Sequence, residues 1–335
     1  MKRGHMMRMR IIYAITASAL IIISLIALVA YRSMQNPITF IRISKICLNA
    51  PPNMHTDIYA LNEGISCFRT DISLNQSESS SLKNLSYAGA EYLGILDYQT
   101  VGARISYNGC ASGCNWTLED WNKSVLNAVI EYPEISEWEI YNEPLVGKFM
   151  SGYENGNATH YFMMIRSAYR IIKSKNPNAT IVCFGGAQLY PIQYVQYEYQ
   201  FYARAWADGA SKYCDAISVH AYSLPYYNLN QATPAGITVA EEYNYSLGLY
   251  ENLTGKPVWV TETGIPSVGQ SGVSEAAQTS FLRQDIILLS SHSYVRRIYW
   301  FDIQGSGNGL DYGLFNSTTS APKPAWIQLL KLSGG

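Results

Sequence analysis

The sequence predicts a (β/α)8 barrel preceded by one N-terminal transmembrane helix. Three observations carry that reading. From residue 45 onward a short apolar run alternates with a helix-compatible stretch, eight times over roughly 290 residues, the size of one such barrel. The runs are nearly continuous in apolar residues, as strands are when a parallel sheet is covered by helices. And Ile11 to Ala30 runs without a charge, a length of helix that matches one hydrocarbon core.

The N-terminal residues "MKRGHMMRMR" carry Lys2, Arg3, Arg8 and Arg10 and no acid, so this flank is expected to stay in the cytoplasm, with everything after Tyr31 outside. A cleaved signal peptide is the alternative, but a cut after Ala30 puts Leu28 where a small residue is wanted. Residues 31–43 read as a tether and 44–335 as one domain, with no internal repeat or Pro/Gly linker dividing it.

The eight runs are "KICLNAP" (45–51), "GISCFRTDI" (64–72), "EYLGILDYQTV" (91–101), "SEWEIYNEP" (136–144), "TIVCFGGAQL" (180–189), "CDAISVHAYS" (214–223), "KPVWVTETG" (256–264) and "VRRIYWFDI" (295–303). Amphipathic helix candidates lie at 118–131, 159–175, 237–253 and 275–292, and the Tyr stripe at 190–202 reads as a helix packing its tyrosines on the barrel. An open doubly wound sheet would want a Gly-rich phosphate loop after the first strand, and "NAPPNMHTD" is not one.

Composition narrows the function classes. The chain is 48% hydrophobic and 15% charged, which is globular and not disordered, and its net charge of -1 gives no electrostatic case for nucleic acid. Nine Asn-X-Ser/Thr sequons, at Asn75, Asn84, Asn115, Asn122, Asn157, Asn178, Asn244, Asn252 and Asn316, exceed chance placement and point to a glycosylated exterior. Six cysteines fit an oxidising compartment. Cys110 and Cys114 could pair locally, whereas Cys47, Cys67 and Cys183 in apolar runs read as small buried hydrophobes.

Chemistry on such a barrel sits where strands end at the C-terminal face. The polar residues there are Arg69 and Asp71, Asp97 and Gln99, Asn142 and Glu143, His220 and Tyr222, Glu262, and Trp300 with Asp302. Val258, Val260 and Glu262 share one parity, so Glu262 points inward if the valines fill the barrel. Glu143 and Glu262 then meet across a cleft, and two opposed carboxylates with pKa values pushed apart are what glycosidic cleavage needs. Arg69 would keep one of them charged, and Tyr222 would donate to the same carboxylate. Glu139 reads as structural; Asp71, Asp97 and Asp302 read as loop caps, Arg partners or substrate contacts. Tyr226 and Tyr227 read equally as sugar stackers and loop packing.

"WEIYNEP" followed by "VWVTETG", with Arg69, the His-x-Tyr of "SVHAYS" and Trp300 in order, resembles the clan A glycoside hydrolases, a superfamily of cellulase-like enzymes with catalytic acids on strands four and seven of a (β/α)8 barrel. The resemblance implies Glu143 as general acid/base and Glu262 as nucleophile. It implies Asn142 on the sugar 2-hydroxyl, Trp300 stacked under the sugar, and Arg69, His220 and Tyr222 supporting them. It implies no metal and no other cofactor, and a polysaccharide or oligosaccharide partner cleaved with retention. Strand three lacks the His common in family 5, which leaves families 39 and 53 open. The expectation is a membrane-tethered extracellular retaining β-glycosidase. A transglycosylase with the same residues and a non-catalytic glycan-binding envelope protein are the alternatives.

Overall fold

The computed structural model describes residues 45–53, 55–72, 76–105, 116–146, 156–186, 188–267, 272–305, 310–316 and 319–334. The expected membrane helix at 11–30, its basic flank, the tether and the Cys110/Cys114 loop lie outside these. Among the described residues no helix is long and apolar enough to cross a membrane.

Eight parallel strands close into a barrel in chain order. They are β1 (Lys45–Asn49), β2 (Cys67–Asp71), β3 (Glu91–Leu96), β4 (Glu137–Ile140), β5 (Thr180–Gly186), β6 (Ala216–Ala221), β7 (Val258–Thr263) and β8 (Val295–Trp300). Each lies inside one of the eight apolar runs. The helices of the outer layer are α1 (Thr56–Asn62), α2 (Gln76–Tyr87), α3 (Tyr98–Ile105), α4 (Leu118–Glu131), α5 (Ala158–Lys175), α6 (Ile192–Ala207), α7 (Val239–Thr254), α8 (Glu275–Ser290) and α9 (Pro324–Ser333). Local chemistry sets several of their starts. Thr117 with Asp120 and Thr238 with Glu241 form capping boxes on α4 and α7, and Asn157 and Ser274 cap α5 and α8. Gly255 ends α7 in the left-handed conformation that a Cβ disfavours.

Two apolar layers follow from strand alternation. Cys47, Cys67, Leu93, Val182, Ala216, Trp259 and Tyr299 fill the barrel, while a larger set lies between strands and helices. Val258 and Val260 belong to the outer set, so the expectation that they fill the barrel is corrected. Glu262 turns inward for a different reason. Val219 pairs with Val260 but His220 pairs with Glu262, and on the other side Ile298 pairs with Val260 but Trp300 with Thr263. Both neighbours therefore find one extra residue in β7, a β-bulge that reverses the parity just before the strand ends.

The cysteine reading is also corrected. Cys47–Cys67 and Cys183–Cys214 are disulfides. The first joins the neighbouring strands β1 and β2; the second joins β5 to the residue two before β6. Apolar surroundings said nothing about partners, which adjacency in the closed sheet supplied. Closing loops of 20 and 31 residues stabilises the chain by about 3 kcal/mol each on the chain-entropy account.

Candidate active site

At the C-terminal mouth of the barrel lies a cavity of about 580 Å³. Arg69, Asn142, Glu143, Tyr222 and Glu262 all line it, together with Asn49, Asp71, Gln99, Phe301, Asp302 and Tyr312. The sequence-read residues of strands two, four, six and seven thus converge.

Arg69 is the hub. It is 2% exposed. Its Nε donates to Glu139 Oε2 at 2.5 Å, Nη1 to Asn49 Oδ1 at 2.9 Å and to Glu262 Oε1 at 2.7 Å, and Nη2 to Asn142 Oδ1 at 2.8 Å. Glu139 is wholly buried inside the barrel, where Ser218 Oγ donates to its other oxygen at 2.5 Å. Its structural reading stands. A buried guanidinium that loses water must find such partners, and two carboxylates with two amide oxygens supply them.

His220 bridges the two candidate acids. Its Nδ1 is 2.9 Å from Glu143 Oε1 and its Nε2 is 3.7 Å from Glu262 Oε1. Burial pushes the imidazole down, but Glu262 and the hydrogen bond to Glu143 outweigh it and hold His220 above its usual value. Burial likewise pushes Glu262 up, yet His220, Arg69 and the hydrogen bond from Tyr222 Oη at 2.7 Å bring it below the ordinary carboxylate value. Burial raises the Tyr222 hydroxyl well above its usual value, so it stays a donor. One carboxylate oxygen each of Glu143 and Glu262 and one ring nitrogen of His220 lie within 4.8 Å of one another. A cation could bridge that spacing, but Arg69 already sets a fixed positive charge against Glu262.

The backbone carries strain here. Tyr141 and Glu143 have φ of 71° and 46°, the left-handed region that costs a Cβ-bearing residue about 1 kcal/mol or more. Glu143 N donates to Gly185 O at 3.0 Å, and a Cβ on Gly185 would meet Tyr141 O at 2.6 Å. Tyrosines from the helices brace the same corner. Tyr161 Oη donates to Ile140 O at 2.9 Å and Tyr202 Oη to Phe184 O at 2.9 Å. The Tyr stripe is thus a helix packed on the barrel.

Trp300 is corrected. It is wholly buried, belongs to the layer between strands and helices, and is not on the cavity wall. Tyr299 faces the barrel, so alternation turns Trp300 outward and brings Phe301 to the cavity. Phe301, Tyr312 and Tyr222 form an edge-to-face cluster there, with centroids 5.5 to 6.4 Å apart. Asp97 is buried behind the wall, and Tyr226 and Tyr227 pack against the outer apolar layer. Sequence reasoning missed Asn49, although it ends β1 as a polar residue closing an apolar run. Tyr312 follows β8 in a loop and carried no such signal.

Residues 159–324 match the family described as the glycosyl hydrolase catalytic core. That span is just under half of the chain. The matched span holds His220, Tyr222 and Glu262 and stops short of Glu143. The chain matches no curated protein sequence. Its fold is similar to that of the GH53 catalytic domain of Ignisphaera aggregans, with a TM-score of 0.63 at 14% identity over 89% of this chain and 98% of that one. It is similar to a GH128 endo-β-1,3-glucanase of Amycolatopsis mediterranei in complex with laminarihexaose, with a TM-score of 0.52 at 15% identity over 86% and 99%. A GH2 β-galacturonidase of Eisenbergiella tayi bound to galacturonate gives 0.56 at 15% identity over 87% of this chain and 51% of that chain. The chain spans about half the length of the β-galacturonidase and β-glucuronidase structures it resembles.

Proposed function

We propose that the protein is a glycoside hydrolase that cleaves β-linked glycans with retention of configuration, through a covalent glycosyl-enzyme. The observation that carries this is the pairing of Glu143 and Glu262, whose nearest oxygens lie within 4.8 Å across one cavity, in unequal surroundings. Retaining enzymes hold their carboxyl groups about 5–5.5 Å apart, whereas inverting ones leave room for a water at about 6.5–9.5 Å. Glu262, kept ionised by His220, Arg69 and Tyr222, is the nucleophile. Glu143, on the facing strand, protonates the departing oxygen and then takes a proton from water. Asn142 spends its Oδ1 on Arg69 and keeps its amide donor for the sugar 2-hydroxyl. A laminarihexaose complex on a similar barrel makes β-glucans the first substrates to try. Placement outside the cell, tethered by residues 11–30, is part of the same proposal and rests on the basic flank, the apolar run and the sequons.

The test is nucleophile rescue. Glu262→Ala should lose turnover and regain it with azide, giving a glycosyl azide of inverted configuration. Glu143→Ala should instead give, with an activated aryl glycoside and azide, a product of retained configuration. Undiminished turnover in Glu262→Ala would overturn the reading.

A further inference from the structure

The cavity is one-sided. Its walls come from the ends of β1, β2, β3, β4, β6, β7 and β8, and among the described residues β5 and the segment leading into α6 contribute none. Asn49 to Pro52, Arg69 to Asp71, Ile95 and Gln99 put much of it on the side of β1, β2 and β3. A sugar whose anomeric carbon meets Glu262 fills that side. The oxygen that Glu143 protonates carries the leaving group, which must continue past Glu143, away from the cavity and toward β5.

Aromatic side chains stand there. Glu143 N donates to Gly185 O at 3.0 Å, so the end of β5 backs directly on the acid. A Cβ on the next residue, Gly186, would lie 3.4 Å from Glu198 Oε2, which sets the inner face of α6 against the same strand end. Tyr194 precedes Glu198 by one helical turn. Each helix leaves its strand at the C-terminal face, so the earlier turn is the one nearer the mouth. Burial raises the Tyr194 hydroxyl to about 12, and Glu198 and then Glu143 add to the rise, which places the ring within electrostatic reach of the acid. Glu198 is wholly buried, but Tyr194 is only half-buried, and Tyr197 is 57% exposed with its ring centroid 6.4 Å from that of Tyr194. Tyr226 and Tyr227 pack on the apolar layer between strands and helices; Tyr194 and Tyr197 do not belong to it. The core does not account for these two rings.

We propose that Tyr194 and Tyr197 form the binding site for the leaving group, and that this group is itself a sugar, stacked by its C–H face on Tyr194 and flanked by Tyr197. This rests on the glycosidase reading and names what departs. As Glu262 bonds to the anomeric carbon, the bond from that carbon to the leaving sugar breaks, and the proton of Glu143 goes to the freed oxygen. The substrate is then a chain with at least one sugar on each side of the cut.

The experiment uses the full chain and two substrates with one glycone: a β-linked oligosaccharide, and the methyl β-glycoside of the same glycone. Both leaving groups are alkoxides that need the proton of Glu143, but methanol has no ring. The wild type should favour the oligosaccharide by about 100-fold in kcat/KM. Tyr194→Ala should shrink that ratio about tenfold, the scale of one aromatic contact, whereas a general structural loss or a displaced Glu143 would lower both substrates and keep the ratio. Tyr194→Phe keeps the ring and should keep the ratio; a ratio as low as that of Tyr194→Ala would overturn the stacking. An unchanged ratio in a folded Tyr194→Ala overturns the inference and leaves the glycosidase reading standing. Should that variant not fold, the exposed Tyr197 decides: Tyr197→Ala should shrink the ratio about threefold, and an unchanged ratio overturns the proposal. A wild type that cleaves the methyl glycoside as well as the oligosaccharide overturns it too. Turnover of no glycoside by the wild type overturns the glycosidase reading and this inference with it.

Discussion

Glu139 lies beneath Arg69 inside the barrel, its Oε2 2.5 Å from the guanidinium Nε, so the positive charge that holds Glu262 is itself anchored by a second buried acid. The pair is fully desolvated. Removing one partner leaves the other charge uncompensated, which costs about 3–5 kcal/mol. Glu139→Ala should therefore lower stability by that amount in urea unfolding. Glu139→Gln, which can still accept from Arg69, should lose distinctly less. Equal losses would mean that volume and not charge matters at this position.

The hydrogen bond from Tyr222 to Glu262 predicts a pH effect. Glu262 is held below its usual value partly by that bond, and the acid limb of kcat/KM reports the group that must be ionised in the free enzyme. Tyr222→Phe removes one stabiliser of the anion, so the acid limb should move to higher pH. A hydrogen bond to a charged group is worth about 1.5–3 kcal/mol, so kcat/KM should also fall about tenfold or more. A limb that stays in place would remove Tyr222 from this role.

Gly185 couples β5 to the catalytic corner of β4. Its φ is 66°, and a Cβ there would meet Tyr141 O at 2.6 Å and Glu143 N at 3.2 Å. Gly185→Ala should destabilise the fold by more than about 1 kcal/mol and displace Glu143. Thermal melting and kcat measured together would show it; a loss of stability with kcat untouched would separate the glycine from catalysis.

Asp285 on α8 is wholly buried beside Thr263, whose Oγ1 is 2.6 Å from its Oδ2. Burial raises its carboxyl from 3.8 to about 7. A raised carboxyl binds its proton more tightly in the folded state, so folding stability falls as pH rises from about 4 to about 7 and levels off above. Asp285→Asn should remove that slope. The gain in stability over the wild type should be negligible at pH 4 and should grow to at most about 4 kcal/mol near pH 8. A gain independent of pH would contradict the assignment.

Much of the barrel was legible because burial on both faces forces each strand into an apolar run. Helices α4, α5, α7 and α8 announced themselves by the period of their apolar residues. The candidate acids were legible because polar residues closing such runs are rare. The valines of β7 misled because a parity argument gives the relative facing of alternate residues but not which face is in, and a one-residue bulge resets it without any mark in the sequence; Trp300 came from the resemblance, and strand alternation puts its neighbour Phe301 on the cavity wall instead.

The sequence by itself determined the eightfold alternation, the placement of Glu143 and Glu262 at strand ends, and the apolar segment at 11–30. These follow from local composition and spacing, which every strand or helix carries within itself. The tertiary structure alone decided the inward turn of Glu262, the two disulfides, the Glu139–Arg69–Asn49 support, and Phe301 and Tyr312 as the aromatic wall. Each of these depends on which distant residues the closing of the sheet brings within a few ångströms, and contact between strands far apart in the chain leaves no local pattern.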